Sequence, residues 1–471
     1  MKVIAASKEA VDLFHRGALA LSKVEARGVR IDTEYLRRAT RKTEKRIARM
    51  KAELMQDPVF KKWKRRFGQR TKLGAPEQLA KVVFDDLGYK PIHGYTKTMK
   101  YKANEEAFQH IQEPFVKSYF DWKRLQKALT VNLNGLSREV IDELVHGIFN
   151  LNVAVSFRSS MDTPNLQNVP VRNPEIGTII RKSFIARKRY RLGEIDFGKI
   201  EVVGASCYTL DPVLIKEVSD PKADMHRDTA VQLFCLDKEN AAQKAIRQTA
   251  KNAFVFAEFY GSFWRDCAYN IWEDIDHYNL QTLKGVPLKK HLKRKGVDGL
   301  GEIIVNHQTG RMETEPGTFY DHVREVEDDF WKNRFKVYAQ WKRDWWAAYL
   351  KRGWFRTKTG FICRGNMDRK QVCNYPIQGS AFHCLLWSLI RLQEWLEKHK
   401  FKTRIIGQIH DSMLIEFYCK EVDDVLHQAK KIMTEDIRKA WDWTIVPMTI
   451  EAELAEEGES WADKKKYPIA A

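Results

Sequence analysis

The chain has 471 residues, with 81 Lys and Arg against 62 Asp and Glu, which leaves a net charge of +19. Hydrophobic residues make up 44% and no run of ~18 apolar residues occurs, so a disordered polyelectrolyte and a transmembrane helix are both excluded. The length exceeds one ordinary core and implies two to four subdomains, while the surplus of positive charge points to a polyanionic partner, most commonly nucleic acid.

In chain order, the apolar stretch within Met1 to Lys8 is too short for a secretory signal. The first ~150 residues read as mostly helical. Asp32 or Thr33 caps a long helix reaching about Gln56, with Leu36, Ile47, Met50 and Leu54 near helical spacing. Asp57-Pro58 ends it. Residues 61–72 form a basic run (Lys-Lys-Trp-Lys-Arg-Arg-Phe-Gly-Gln-Arg-Thr-Lys), suited to tracking phosphates or to a solvated loop. Another helix starts near Pro76, carries Leu79, Val82, Val83 and Leu87, and stops at Gly88. Such basic helices either grip a duplex backbone or pack on each other.

From about residue 150 the texture changes to short strands and loops. Tyr190 to Phe197 reads as a strand ending at an acid, and a strong helix is expected over 239–260. A basic, loop-like stretch covers 276–318 and contains a second basic run at 289–295. Tryptophan-rich helices follow over 319–352. Residues 404–417 have the form of a hairpin, two apolar arms around the polar tip Ile409-His410-Asp411-Ser412. The seven cysteines show no C-x-x-C pair and no Cys/His cluster, which suggests reduced thiols in a cytoplasmic setting.

Two acids, Asp196 at a strand end and Asp411 at a hairpin tip, are the first candidates for chemistry. Phosphoryl transfer through two metal ions needs carboxylates brought together on a rigid support, and strand ends of one sheet provide one. Two aspartates alone say little; their surroundings say more. Asp196-Phe197-Gly198-Lys199-Ile200-Glu201 resembles the first acidic motif of the family A DNA polymerases, the group of bacterial DNA polymerase I and its phage relatives. Upstream, Phe157-Arg158-Ser159-Ser160 and Pro164-Asn165-Leu166-Gln167-Asn168-Val169-Pro170 resemble that family's pre-palm signature. Downstream, Asp224-Met225-His226, Arg247-Gln248-Thr249-Ala250-Lys251 and Phe259-Tyr260-Gly261 resemble its fingers elements. Asn374-Tyr375-Pro376-Ile377-Gln378-Gly379-Ser380-Ala381 resembles the segment leading into the second half of the palm, and His410-Asp411 the second acidic motif. The order and approximate spacing match, and the resemblance runs from about residue 15 to 465.

The resemblance implies an α+β right-hand polymerase with an antiparallel palm sheet, helical fingers and a helical thumb. The expected division is 1–150 for the N-terminal palm edge and thumb and 151–238 for the first half of the palm. Residues 239–352 would form the fingers, with the 276–318 insertion, and 353–471 the second half of the palm. It implies a template-directed DNA polymerase using two Mg²⁺ ions, with Mn²⁺ as a substitute, held by Asp196, Asp411 and the Phe197 carbonyl. Its partners would be primer–template DNA and dNTPs. His226, Arg247 and Lys251 would face the triphosphate, the last two being i, i+4 on one helix. Glu201 would block a ribose 2′-hydroxyl. Asn150, Arg158, Asn374, Gln378 and His410 would lie near the primer terminus and minor groove, where universal acceptors report pair shape without sequence preference.

Two departures from the family pattern stand out. Ser412 replaces the usual Glu after His-Asp, so a third carboxylate is missing. One residue too many lies between Lys251 and Tyr260, which predicts a one-residue π-bulge that turns Phe256 and Tyr260, rather than Val255 and Phe259, toward the cleft. Only some 15 to 20 residues precede the resemblance, so no proofreading exonuclease is expected within the chain, which is either a fragment or naturally without that domain; a separate exonuclease or a processivity factor is a further candidate partner. The insertion suggests a phage-like branch. The competing readings are a single-subunit RNA polymerase-like enzyme, against which Glu201 and the Asn-Tyr-Pro-Ile-Gln-Gly stretch argue, and a catalytically inactive DNA-binding replication factor.

Overall fold

The computed structural model describes residues 5–91, 95–96, 98–108, 110–170, 173–305 and 312–469. Residues 306–311 of the expected insertion and 1–4 of the chain start lie outside the described residues. The architecture is α+β. Its centre is a five-stranded antiparallel sheet in the order Arg404–Ile409, Ser412–Tyr418, Tyr190–Phe197, Ile450–Leu454, Lys465–Tyr467.

Period-2 alternation sends neighbouring residues to opposite faces of this sheet. Ile195, Phe197, Met413, Ile415 and Phe417 enter the core shared with the Lys8–Arg27 and Arg369–Lys398 helices. Leu192, Ile406 and Leu414 enter a second core with Phe184 and Trp461. Each such side chain contributes about 1.5–3 kcal/mol of transfer free energy. Asp196 belongs to the second face but lies at the strand end, beyond its apolar cover, and is exposed.

The expected strand, hairpin and N-terminal helix form as read. Thr33–Gln56 is helical, with the Asp32 carboxylate accepting from the Tyr35 N–H at 2.8 Å, and Asp57 both ends this helix and caps the next. The first basic run is largely helix: Trp63 and Phe60 are buried, and Arg66 pairs with Asp85 at 2.6 Å and with Asp86. These helices pack on each other around Trp63, Leu79, Val83, Phe108, Phe115 and Tyr119.

Two expectations need correction. The helix over 239–260 is broken: a short turn, Lys238–Ala241, is separated from Lys244–Thr249 by Ala242 and Gln243. Gln243 has extended backbone, and its amide donates to the distant Gln281 carbonyl at 3.1 Å. The described part of 276–318 is not simply loop. Leu288–Arg294 is a helix that buries Leu288 and Leu292, and Ile303–Val305 pairs with Met312–Thr314. Lys289 of the second basic run is paired with Asp276 at 2.6 Å and stacked over Trp272.

The segment containing Asn374 to Ala381 lies inside the 30-residue helix Arg369–Lys398, which starts with a capping box between Asp368 and Gln371. Pro376 sits in its interior. Such a proline removes one helical hydrogen bond and typically costs ~3 kcal/mol. The carbonyl it cannot serve, that of Val372, accepts instead from the Trp345 indole N–H at 3.0 Å. The orphaned acceptor is therefore satisfied from a neighbouring helix.

Candidate active site

Asp196 closes its strand where the backbone must turn sharply. Gly198 donates to the Thr449 carbonyl at 2.8 Å, and a Cβ there would lie 2.3 Å from the Thr449 hydroxyl, so no larger residue fits. Lys199 is left-handed, with φ 56°, and the Ile200–Thr209 helix follows with Glu201 in its first turn. Strand register places Ser412 opposite Asp196 on one side and Glu451 on the other. Asp411, one residue before Ser412 in the turn, thereby comes beside Asp196.

A buried polar lock holds that turn. Gln408, buried in the strand before it, accepts from Ser159 at 2.6 Å and from Gln167 at 2.9 Å, and donates to the His410 carbonyl. The same loop projects Arg158, whose guanidinium lies 3.2 Å from Asp411 and 3.6 Å from Glu201. Gly379 lets the long helix approach this loop: a Cβ there would lie 2.3 Å from the Ser156 carbonyl oxygen. His383, one turn on, is hydrogen-bonded to the Phe157 carbonyl at 3.0 Å.

Asp196 keeps an open edge at the strand end, but the cleft around its carboxyl strips away water; that desolvation, then Asp411 and Glu194, push it up to about 7. Burial, then Asp411, push Glu201 up to about 7, against the opposing pull of Arg158. Carboxylates that raise one another's pKa in this way gain from a nearby cation. Among the described residues no cluster of three or more His, Cys, Asp or Glu side chains forms a closed metal cage. Mg²⁺ fits the pair that is present, because it is commonly bound by one or two carboxylates and completed by substrate phosphates and water. Ser412 donates to the Ile409 carbonyl at 2.9 Å and serves the turn.

On the helical side, His226, Arg247 and Lys251 come together. Arg247 is held by Asp224 at 2.7 Å, an acid to which the sequence reading gave no role although it caps the helix carrying His226. The predicted π step is present: Ala250–Phe256 is a π-helical segment. Val255 and Phe259 turn into the core, while Phe256 and Tyr260 are half-buried with their rings 6.0 Å apart. Phe256 meets the His226 ring edge-on at 5.6 Å and lies under the Lys251 ammonium at 5.1 Å. Tyr260 donates its hydroxyl to Glu201, and its carbonyl accepts from Asn374 at 2.9 Å. Glu201, Phe256, Tyr260, Asn374 and Gln378 line one narrow pocket. Asn150 is occupied elsewhere, its amide donating to Asp162 at 2.8 Å.

His226 is buried and its Nδ1 has no hydrogen-bond partner among the described residues. Burial, with Arg247 and Lys251 nearby, pushes this imidazole down to about 3. The unfolded chain takes up that proton near 6.5, so the stability tied to the neutral ring is complete above this pH and falls as pH drops toward 3. In urea titrations, His226→Gln should therefore lose less stability than the unmodified chain between pH 6.5 and 4; an equal loss would refute the buried neutral ring.

The DNA polymerase family A model matches residues 33–272 and 355–463. The thermostable DNA polymerase I of Thermus aquaticus is 25% identical over 453 residues, covering 95% of this chain and 47% of that protein. DNA polymerase I of Lactococcus lactis subsp. lactis is 25% identical over 454 residues, covering 95% and 45%. The chain thus spans about half the length of the curated relatives it matches. Among solved structures, the POL domain of Pol1 from M. smegmatis, in complex with DNA primer-template and dNTP, superposes with a TM-score of 0.72. It is 21% identical and covers 95% of this chain and 70% of that one, a likeness of fold: the right-hand arrangement of palm, fingers and thumb. With the acidic strand ends, the π-stepped helix and this match in hand, the chain belongs to DNA polymerase family A.

Proposed function

We propose that this chain is a template-directed DNA polymerase, extending a primer 3′-hydroxyl with dNTPs by two-metal-ion phosphoryl transfer. The observation that carries the reading is the convergence of Asp196, Asp411, Arg158, Glu201 and Tyr260 at the strand ends, facing the half-buried cations Arg247 and Lys251 and the buried His226 beside them. On this reading residues 1–150 are the palm edge and thumb, 151–238 and 353–471 the two palm halves, and 239–352 the fingers.

Asp196, Asp411 and the Phe197 carbonyl would hold the Mg²⁺ ions, which supply activation of the attacking hydroxyl and neutralisation of phosphate charge. The protein's own side chains do the rest. Arg247, fixed by Asp224, and Lys251 bind the triphosphate, and the unpartnered His226 Nδ1 is available as an N–H donor toward it. Phe256 stacks beside the sugar and base, and Tyr260 stands at the templating position. Arg158, Asn374, Gln378 and His410 hold the primer terminus and its minor groove, and Asn150 joins them only on leaving Asp162. Glu201, anchored by Tyr260 and Arg158, occupies the space a 2′-hydroxyl would need.

Primer extension with Mg²⁺ tests this reading, with dNTPs and NTPs supplied separately. Extension with dNTPs that stops on chelation is expected; preference for NTPs would favour the RNA polymerase reading, and no extension would favour a DNA-binding factor. Glu201→Ala should raise the rNTP-to-dNTP incorporation ratio by about 10- to 100-fold, the worth of removing a clash of ~1.5–3 kcal/mol. An unchanged ratio would show that Glu201 is not the gate.

A further inference from the structure

Beneath Tyr260 lies a buried polar cluster that the proposed chemistry does not use. Glu258, two residues before Tyr260 on the π-stepped helix, is 1% exposed in an apolar region rich in aromatic rings. Its carboxylate accepts from the Trp331 indole N–H at 2.8 Å and from the Cys267 thiol at 3.3 Å. Burial and Glu258 push the Glu327 carboxyl up, so it keeps its proton and donates to the same carboxylate. Burial pushes the Glu258 carboxyl up as well, and a buried acid this close to the helix end keeps its charge only with donors and a cation nearby.

Lys342 meets that need. Its ammonium lies 3.9 Å above the Trp331 ring and 5.0 Å from that of Tyr338, and it donates to the Glu258 backbone carbonyl at 2.9 Å. That carbonyl also accepts from the Gly261 N–H at 3.1 Å, at the turn where the helix ends. Lys342 belongs to the Lys336–Arg352 helix, so its bond joins the end of one fingers element to another. Tyr260 is therefore fixed at three points: hydroxyl to Glu201, carbonyl to Asn374, and the preceding turn to Lys342. Lys342 and Tyr260 also line a common cleft of about 440 Å³ with Trp331, Arg369 and Lys370. The first two anchors are residues of the proposed site; the third is not.

We infer that Lys342 is a positioning residue for the templating pocket, holding the Glu258 turn, and through it Tyr260, in the orientation that discriminates correct from mismatched nucleotides. The inference rests on the polymerase reading above. A cation–carbonyl bond at a helix end is strong and directional, and it fixes the last turn where helices otherwise fray. Without it the turn carrying Tyr260 keeps its own backbone hydrogen bonds but loses the lysine's tie to the neighbouring helix, and the Tyr260 side chain and carbonyl are then oriented by Glu201 and Asn374, both of which face the substrate side.

The test is single-nucleotide insertion on a defined primer–template, with correct and mismatched dNTPs, by the full chain and by Lys342→Met and Lys342→Arg. Lys342→Met should raise KM for the correct dNTP and lower discrimination against the mismatch by about tenfold, with kcat changed by less than about twofold. Lys342→Arg, which keeps the charge and the donor, should recover most of the discrimination. Should Lys342→Met fail to fold by circular dichroism, Lys342→Gln is read in its place, since its amide stops one bond short of the carbonyl and the same loss is expected. A variant with lowered melting temperature but wild-type KM and discrimination would overturn the assignment, leaving Lys342 a packing residue. If the unmodified chain extends no primer, the polymerase reading fails instead, so the two failures are distinguishable.

Discussion

Asp196→Ala and Asp411→Ala should each lower nucleotide addition by about 10³-fold or more, roughly 4 kcal/mol of transition-state stabilisation, while primer–template affinity stays within about twofold. The split follows from position. Both acids stand beside each other at the end of the central sheet, where on the two-metal reading they hold the ions for the reacting phosphate and make no contact with the primer–template backbone. The two variants should differ in one respect. Asp411→Ala removes the closer of the two partners of Arg158, leaving it with Glu201 at 3.6 Å, so this variant should also show altered primer-terminus positioning. Asp196→Ala leaves that pair intact. Rapid-quench extension together with fluorescence anisotropy of labelled DNA measures both quantities, and near wild-type extension by either variant would sink the two-metal assignment.

Phe256→Tyr should change acceptance of dideoxynucleotides by about 10- to 100-fold, because a hydroxyl would stand where the missing 3′-OH leaves a gap and its hydrogen bond to a charged phosphate is worth ~1.5–3 kcal/mol. The register decides which phenylalanine does this. Phe254 packs edge-on against Phe330 at 5.4 Å in the core, and Phe259 contacts Phe330, Trp331 and Tyr338. A tyrosine at either place would bury an unsatisfied hydroxyl and cost stability rather than alter sugar selection. If dideoxynucleotide use shifts with Phe254→Tyr or Phe259→Tyr and not with Phe256→Tyr, the role given to the π step is wrong.

Much of this protein was legible before any coordinates, where the signal is local. Alternating apolar residues made the Tyr190–Phe197 strand and the 404–417 hairpin readable, and Asp32 marked a helix start through the orphan N–H groups it satisfies. The π step was readable because one residue too many between Lys251 and Tyr260 has few ways to be absorbed by a helix. What stayed hidden depends on partners far away in sequence. Pro376 argues locally against a helix interior, and only Trp345, which satisfies the Val372 carbonyl, makes it tolerable. Gln243 reads as an ordinary helical residue until Gln281 takes its amide.

The sequence by itself determined the family, the acidic strand ends and the basic arm, because chemistry-bearing residues announce themselves by type and spacing along one segment. The tertiary structure alone decided the strand order that sets Asp196 between Ser412 and Glu451, the Gly379 approach that seats Arg158, and the Asp224 clamp on Arg247. It also decided the burial of Glu258 beneath Lys342. A charged residue on a helix looks solvated until the surrounding aromatic rings close over it, and that closure depends on residues more than sixty positions away.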